Sequence, residues 1–127
     1  VRILLQDAAE VFLRRFTERS LDNVLIYFPD PWPKKAKRKH RILSTEFLTK
    51  MHPYFSPSGE LLFKTDHVEY LKTVTQMLQE LEFYSIVQIT EDWHQSAYNK
   101  ENILTEFEML FKSKGNPPIG YLSARVL

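Results

Sequence analysis

The stretch FPDPWPKKAKRKHR at 28–41 sets one carboxylate, Asp30, among Pro29, Pro31 and Pro33, and follows it with six Lys or Arg in the eight positions 34–41. Each proline fixes its own φ near about −65°. Pro31 and Pro33 also push Asp30 and Trp32 toward extended backbone. The loop is therefore stiff by covalent constraint, and its carboxylate is preorganised to meet a ligand. An Asx-type turn is the plain structural alternative for Asp30. Trp32 fits either a core plug or a stacking surface for a nucleobase, a contact worth about 1–3 kcal/mol. Lys34, Lys35, Lys37, Arg38, Lys39 and Arg41, with His40 among them, create a local field suited to a polyanion. Contacts from such a run go mainly to phosphate, which orients a nucleic acid without reading its sequence. Taken alone the run also fits a solvated segment or a targeting signal, but it leaves the proline cage directly.

Other acidic positions recur beside predicted elements. Val1–Leu5 reads as a short buried strand, Val24–Phe28 as a second, Glu60–Thr65 as a third, Tyr84–Thr90 as a fourth and Gly120–Val126 as a last. Helical spacing covers Ala8–Phe16, residues 44–55 and, most clearly, His67–Leu81, where Val68, Leu71, Val74, Leu78 and Leu81 share a side. SPSG at 56–59 reads as a turn, and residues 91–104 as a loop or ragged helix. This order predicts an open α/β sheet with helices on both faces. Ligands of such sheets lie outside the carboxyl ends of the strands, and Asp7, Asp30 and Asp66 each follow such an end. Asp66 with Glu69, Asp7 with Glu10, and Thr105 with Glu108 also have the spacing of capping boxes. A cap and a ligand contact can coexist in one residue.

Composition narrows the chemistry. The 127 residues, 43% hydrophobic, match one globular domain, and the net charge of +1 shows that the cationic character is local. With no cysteine there is no disulfide or thiolate chemistry. No apolar run approaches the ~20 residues of a membrane span, and VRILLQD does not read as a signal peptide. His40, His52, His67 and His94 lack zinc spacing, so no metal is expected. Neither a G-x-S-x-G nucleophile elbow nor a G-x-x-x-x-G-K-[ST] phosphate loop is present.

FPDPWP with Lys34, followed in order by KAKRKHR (35–41), TDHVEY (65–70) and TEFE (105–108), and preceded by QDA (6–8), resembles the bacterial tRNA (guanine-N7)-methyltransferase family. The resemblance spans all 127 residues but corresponds to the second half of a family member. It implies methyl transfer from S-adenosylmethionine to guanosine in the tRNA variable loop. On its terms Asp7 and Ala8 lie by the adenosyl part of the cofactor, and Asp30 is the active-site carboxylate near the methyl-transfer point. Lys34, Asp66, Thr105, Glu106, Phe107 and Glu108 contact the substrate. Lys35, Ala36, Lys37, Arg38, Lys39, His40 and Arg41 contact RNA. The family often has histidines where Lys37 and Arg38 stand, an arginine at His40, and a basic residue at Leu110, for which Lys112 is a candidate substitute.

The implied fold is a Rossmann-like S-adenosylmethionine-dependent methyltransferase fold lacking its first two strands and glycine-rich loop. No E-x-G-x-G occurs, and the glycines are Gly59, Gly115 and Gly120. On this reading residues 1–127 are the C-terminal part of a single domain, inactive in isolation. Val1–Leu5 and Val24–Phe28 would then face a gap, open to repacking, to strand exchange between copies, or to the missing half. The bacterial parent is expected to be cytoplasmic, with tRNA as partner, no membrane association and no obligate partner subunit. Two alternatives stand beside this reading. One is a non-catalytic RNA-binding module. The other is an adenine amino-methyltransferase, whose D-P-P-aromatic signature DPWP matches only with its last two residues reversed.

Overall fold

The apolar run in the twenties frames the sheet. β1 (Leu21–Tyr27) pairs in parallel with β2 (Phe55–Thr65), so that Val24, Leu25, Ile26 and Tyr27 lie opposite Leu61, Leu62, Phe63 and Lys64. The computed structural model describes residues 1–97, 103–115 and 117–127. β3 (Tyr84–Thr90) and β4 (Gly120–Val126) complete the sheet in the order β1-β2-β4-β3, with β4 antiparallel to both neighbours. Because β1 and β2 run in parallel and in register, the segments that leave them emerge at one edge. Among the described residues no helix is long and apolar enough to cross a membrane.

Helices cover both faces. α1 (Ala8–Arg15), α2 (Thr45–Met51) and α3 (Val68–Glu80) pack on one side, bringing Phe12, Phe47, Leu48, Met51, Tyr70, Leu71, Val74 and Leu78 onto Leu61, Phe63, Leu122 and Ala124. Burial of such side chains is the main favourable term in folding, at about 25 cal/mol per Å² of apolar surface. The opposite face carries a smaller cluster of Trp93, Ile119 and Tyr121, joined by Phe28, Leu62 and Phe111 of α4 (Glu106–Ser113). That second layer is partial: Leu25 remains 55% exposed.

Three expectations need correction. Val1–Leu5 is not a strand but an exposed segment, with Ile3 93% and Leu5 103% accessible. A strand needs an edge to pair with, and no described strand lies beside it. SPSG does not end before a strand; it is absorbed into β2 as an irregularity in its pairing with β1. Leu21 faces Phe55 and Asn23 faces Glu60, so Asp22 alone spans Ser56, Pro57, Ser58 and Gly59. A Cβ on Gly59 would sit 2.9 Å from the Leu21 carbonyl oxygen, which explains glycine there. The third concerns caps. His67, not Asp66, caps α3 by accepting from the Tyr70 N–H, and Val68 in the first turn is 39% exposed. Asp7 caps α1 through the Ala9 N–H, whereas Glu10 pairs with Arg14. Only Thr105 and Glu108 form the reciprocal box.

Glu69, free of capping duty, ties α3 to the basic segment. Its carboxylate accepts from Arg41 Nη2 at 2.6 Å and from Thr73 Oγ1 at 2.7 Å, and lies 3.4 Å from Arg38 Nη1. The Arg41 hydrogen bond is the main cause that lowers its pKa to about 2, against an ordinary 4.5. A carboxylate with a depressed folded-state pKa binds fewer protons than it does unfolded. Its stabilisation is therefore present above pH 4.5 and lost as pH falls toward 2. Since the Glu69 side chain is 38% exposed, solvent screening discounts the effect to roughly 1 kcal/mol. Urea unfolding of the wild type and Glu69→Gln should differ by this amount at pH 6 and converge near pH 2; a gap independent of pH would contradict the ion pair.

Candidate functional site

Asp30 lies in the loop that leaves β1, and the loop is held at both ends. The Phe28 N–H donates to the Lys64 carbonyl at 2.9 Å, extending the β1–β2 pairing by one residue, and the Phe28 ring stacks on Phe107 at 5.6 Å. Farther along, Arg41 Nε donates to the Pro31 carbonyl at 2.6 Å. Phe28 and Trp32 both have positive φ, 52° and 40°. For residues with a Cβ such backbone costs on the order of 1–3 kcal/mol each and persists only where surrounding contacts enforce it. The two tethers sit at those positions. Asp30 itself is exposed. Trp32 is 39% exposed with its ring 5.2 Å from His40, so it is a surface aromatic and not a core plug.

Lys35–His40 forms a short 3-10 helix after Lys34, and residues 34–40 are all exposed. Side chains three apart eclipse in this helix. Lys37 and His40 therefore share a side, and Arg38, together with Arg41 in extended backbone just past the helix, lies against Glu69. Lys34, Lys35, Lys37 and Lys39 make no ion pair among the described residues. Arg41 departs from the expected RNA contact. Its side chain is 3% exposed, its guanidinium lies 4.3 Å over the Tyr70 ring, and its donors go to Pro31 and Glu69.

Asp66 leaves β2 beside the departure of the Asp30 loop from β1, because Tyr27 pairs with Lys64. It is exposed, and no hydrogen bond or ion pair engages it among the described residues. Asp7 and Ala8 line a hollow of about 310 Å³ together with His40, Arg41 and Ser44. Arg41 thus touches the hollow of Asp7, the loop of Asp30 and the helix that follows Asp66.

The TEFE positions divide. Glu106 and Phe107 are exposed, Thr105 is half-buried, and Glu108 is fully buried. Glu108 Oε2 accepts from the Thr105 N–H at 2.8 Å, and Oε1 lies 3.2 Å from Lys64 Nζ. Burial alone would raise the Glu108 pKa, but hydrogen bonds with Thr105 and the Lys64 ammonium outweigh it and hold the group below its usual value. The buried carboxylate is thus directed inward at Lys64. Lys64 also lies 4.7 Å from the Tyr27 ring centroid and 5.2 Å from that of Trp93. Lys64 was not singled out from the sequence; its signal is a lone ammonium in the apolar strand ELLFKT. His94 Nε2, 3.7 Å from Glu108, is buried without a hydrogen bond among the described residues. Lys112 is exposed, as is Leu110, and among the described residues Lys64 is a cation within reach of Glu108.

The family described as "Putative methyltransferase" matches residues 1–120. A tRNA (guanine-N(7)-)-methyltransferase of Clostridium novyi is 36% identical over 100 residues, 79% of this chain and 46% of the relative. One from Clostridium botulinum is 37% identical over 112 residues, 88% and 50%. The chain thus spans about half the length of these curated relatives. Among solved structures, an S-adenosylmethionine-dependent methyltransferase from Mesorhizobium loti matches 87% of this chain and 63% of its own, at 14% identity and TM-score 0.50. That likeness establishes a Rossmann-like methyltransferase fold, consistent with the open mixed sheet. With a stiff acidic loop and a strapped basic turn at one sheet edge, and its family's pattern along residues 1–120, the chain belongs to this methyltransferase family.

Proposed function

We propose that the full-length protein containing this chain methylates N7 of guanosine in the tRNA variable loop, with S-adenosylmethionine as donor. The observation that carries the reading is the continuity of Asp30 with the cationic turn. The exposed carboxylate and the solvent-facing Lys34, Lys35, Lys37 and Lys39 occupy one short segment at the strand ends. The tRNA relatives support this choice of substrate.

The residues present fit one side of a cofactor site. One Asp7 carboxylate oxygen caps α1, and the other has no partner among the described residues, leaving it open to the ribose hydroxyls; Ala8 offers a small neighbour. S-adenosylmethionine, when bound, supplies a methyl carbon made electrophilic by its sulfonium. Guanine N7 carries an in-plane lone pair, so no residue must remove a proton before attack. The protein's work is alignment and fixed electrostatics. Asp30 stabilises the positive charge that the purine gains, and is not a general base. Asp66, unengaged, is the better acceptor for guanine N1–H and N2–H, since Glu108 is spent on Lys64 and Thr105. Lys34 holds the substrate near Asp30, Glu106 and Phe107 border it, and residues 35–40 grip phosphates. Residues 1–127 are read as the C-terminal part of one methyltransferase domain.

Radiolabelled methyl transfer to tRNA by the full-length protein, with base analysis, tests the reading. 7-methylguanosine supports it, N6-methyladenine would replace it with an amino-methyltransferase, and absence of label would leave an RNA-binding module. Asp30→Asn should lower kcat by roughly 10²-fold, the scale of removing one preorganised electrostatic interaction, with tRNA affinity little changed. Of the positions proposed here for the donor, the 127-residue chain carries Asp7, Ala8 and Asp30. Calorimetry is expected to show no micromolar binding of S-adenosylmethionine by it, and micromolar binding would contradict this division of the site.

A further inference from the structure

We propose that Arg41 and Glu69 are positioning residues for the proposed methyl transfer: Arg41 belongs to the scaffold of the Asp30 loop and not to the RNA-contacting surface. The inference rests on that functional reading for its catalytic consequence, but its structural content stands alone. Six cationic side chains share the run 34–41, and Arg41 is the one withdrawn from solvent, 3% exposed against 41% for Arg38. Its guanidinium is divided in two directions. Nε holds the Pro31 carbonyl at 2.6 Å, in the peptide that joins Pro31 to Trp32, where the backbone turns to positive φ. Nη2 holds Glu69 at 2.6 Å in the first turn of α3. The flat face rests on Tyr70, whose hydroxyl accepts from the Leu43 N–H at 3.2 Å and so fixes the chain just beyond Arg41. Glu69 is oriented in turn by Thr73.

A guanidinium can make these planar contacts at once, and an ammonium cannot. The consequence is a rigid spacing between Asp30 after β1 and Asp66 before α3. Arg41 acts on substrate only through them.

Two measurements on the full-length protein test this. In the first, salt dependence of tRNA binding and steady-state kinetics are compared for Arg41→Gln, Glu69→Gln and Lys37→Ala. Removing a cation that neutralises one phosphate should flatten the log K–log[salt] slope by roughly 0.7–0.9. Lys37→Ala should do so. Arg41→Gln and Glu69→Gln should leave the slope and the KM for tRNA unchanged while lowering kcat at least tenfold, and the double variant should fall no further than either alone. A flattened slope with kcat retained in Arg41→Gln would make it an RNA contact and overturn the proposal. The second measurement needs no activity. Trp32 is exposed and Trp93 is 6% exposed, so the part of the iodide quenching that a Trp32→Phe background removes reads the loop. Both variants should raise the quenching constant at least twofold, and an unchanged constant would overturn the positioning role. If the wild type transfers no methyl group, the functional reading fails, and the quenching result still decides the loop.

Discussion

One guanidinium organises the strand-end edge of this molecule. Arg41 has given up the solvent that its neighbours keep, and its donors join a loop carbonyl to a helix carboxylate. Burying a charge is costly unless it is paired and hydrogen-bonded, and here both conditions are met, with Tyr70 closing the remaining face. The benefit is local. A loop with positive φ at Phe28 and Trp32 would relax without enforcement, and the prolines alone do not dictate those two residues. Covalent stiffness narrows the choices, and Arg41 selects among them.

The other face of the sheet supplies a second fastening. Lys64 on β2 pairs with Glu108, which also closes the cap of α4, while Phe107 in the same turn stacks on Phe28. The Asp30 loop therefore begins against α4 and ends against α3, so both helical layers fix its position. This division explains why TEFE is only partly a surface motif: Thr105 and Glu108 build the helix start, and Glu106 and Phe107 are what it shows to solvent. Acidic and basic groups that look equivalent along the chain have been separated into those that hold and those that present.

Much of this frame was legible in the residues. Tyr84–Thr90 and Gly120–Val126 have the predicted bounds, and α3 falls within a residue or so of its apolar period. The proline loop after β1 was evident because its stiffness is written in covalent chemistry. Direction was not: the apolar pattern of β4 is the same read either way, so its antiparallel insertion between β2 and β3 required tertiary pairing. Nor did D-x-x-E distinguish a cap from a clasp, since Asp66 and His67 compete for one position and the loser's partner, Glu69, is claimed by an arginine far along the chain. Arg41 itself was indistinguishable within a basic run. What sets it apart is tertiary: the Pro31 carbonyl and the Glu69 carboxylate meet it only once the chain is folded. Val1–Leu5 carries strand-forming residues without a pairing edge among the described residues, and propensity alone does not make a strand.

The central claim is that a fixed acidic loop, not a mobile one, meets the nucleic acid beside a surface whose cations exclude Arg41. A crystal structure of the full-length protein with a guanosine-bearing tRNA fragment and a non-reactive analogue of the methyl donor addresses it most directly. The Asp30 carboxylate should lie against the purine, with phosphates on residues 34–40 and Arg41 still bonded to Pro31 and Glu69. Arg41 swung out onto a phosphate, with the loop displaced from α3, would contradict it.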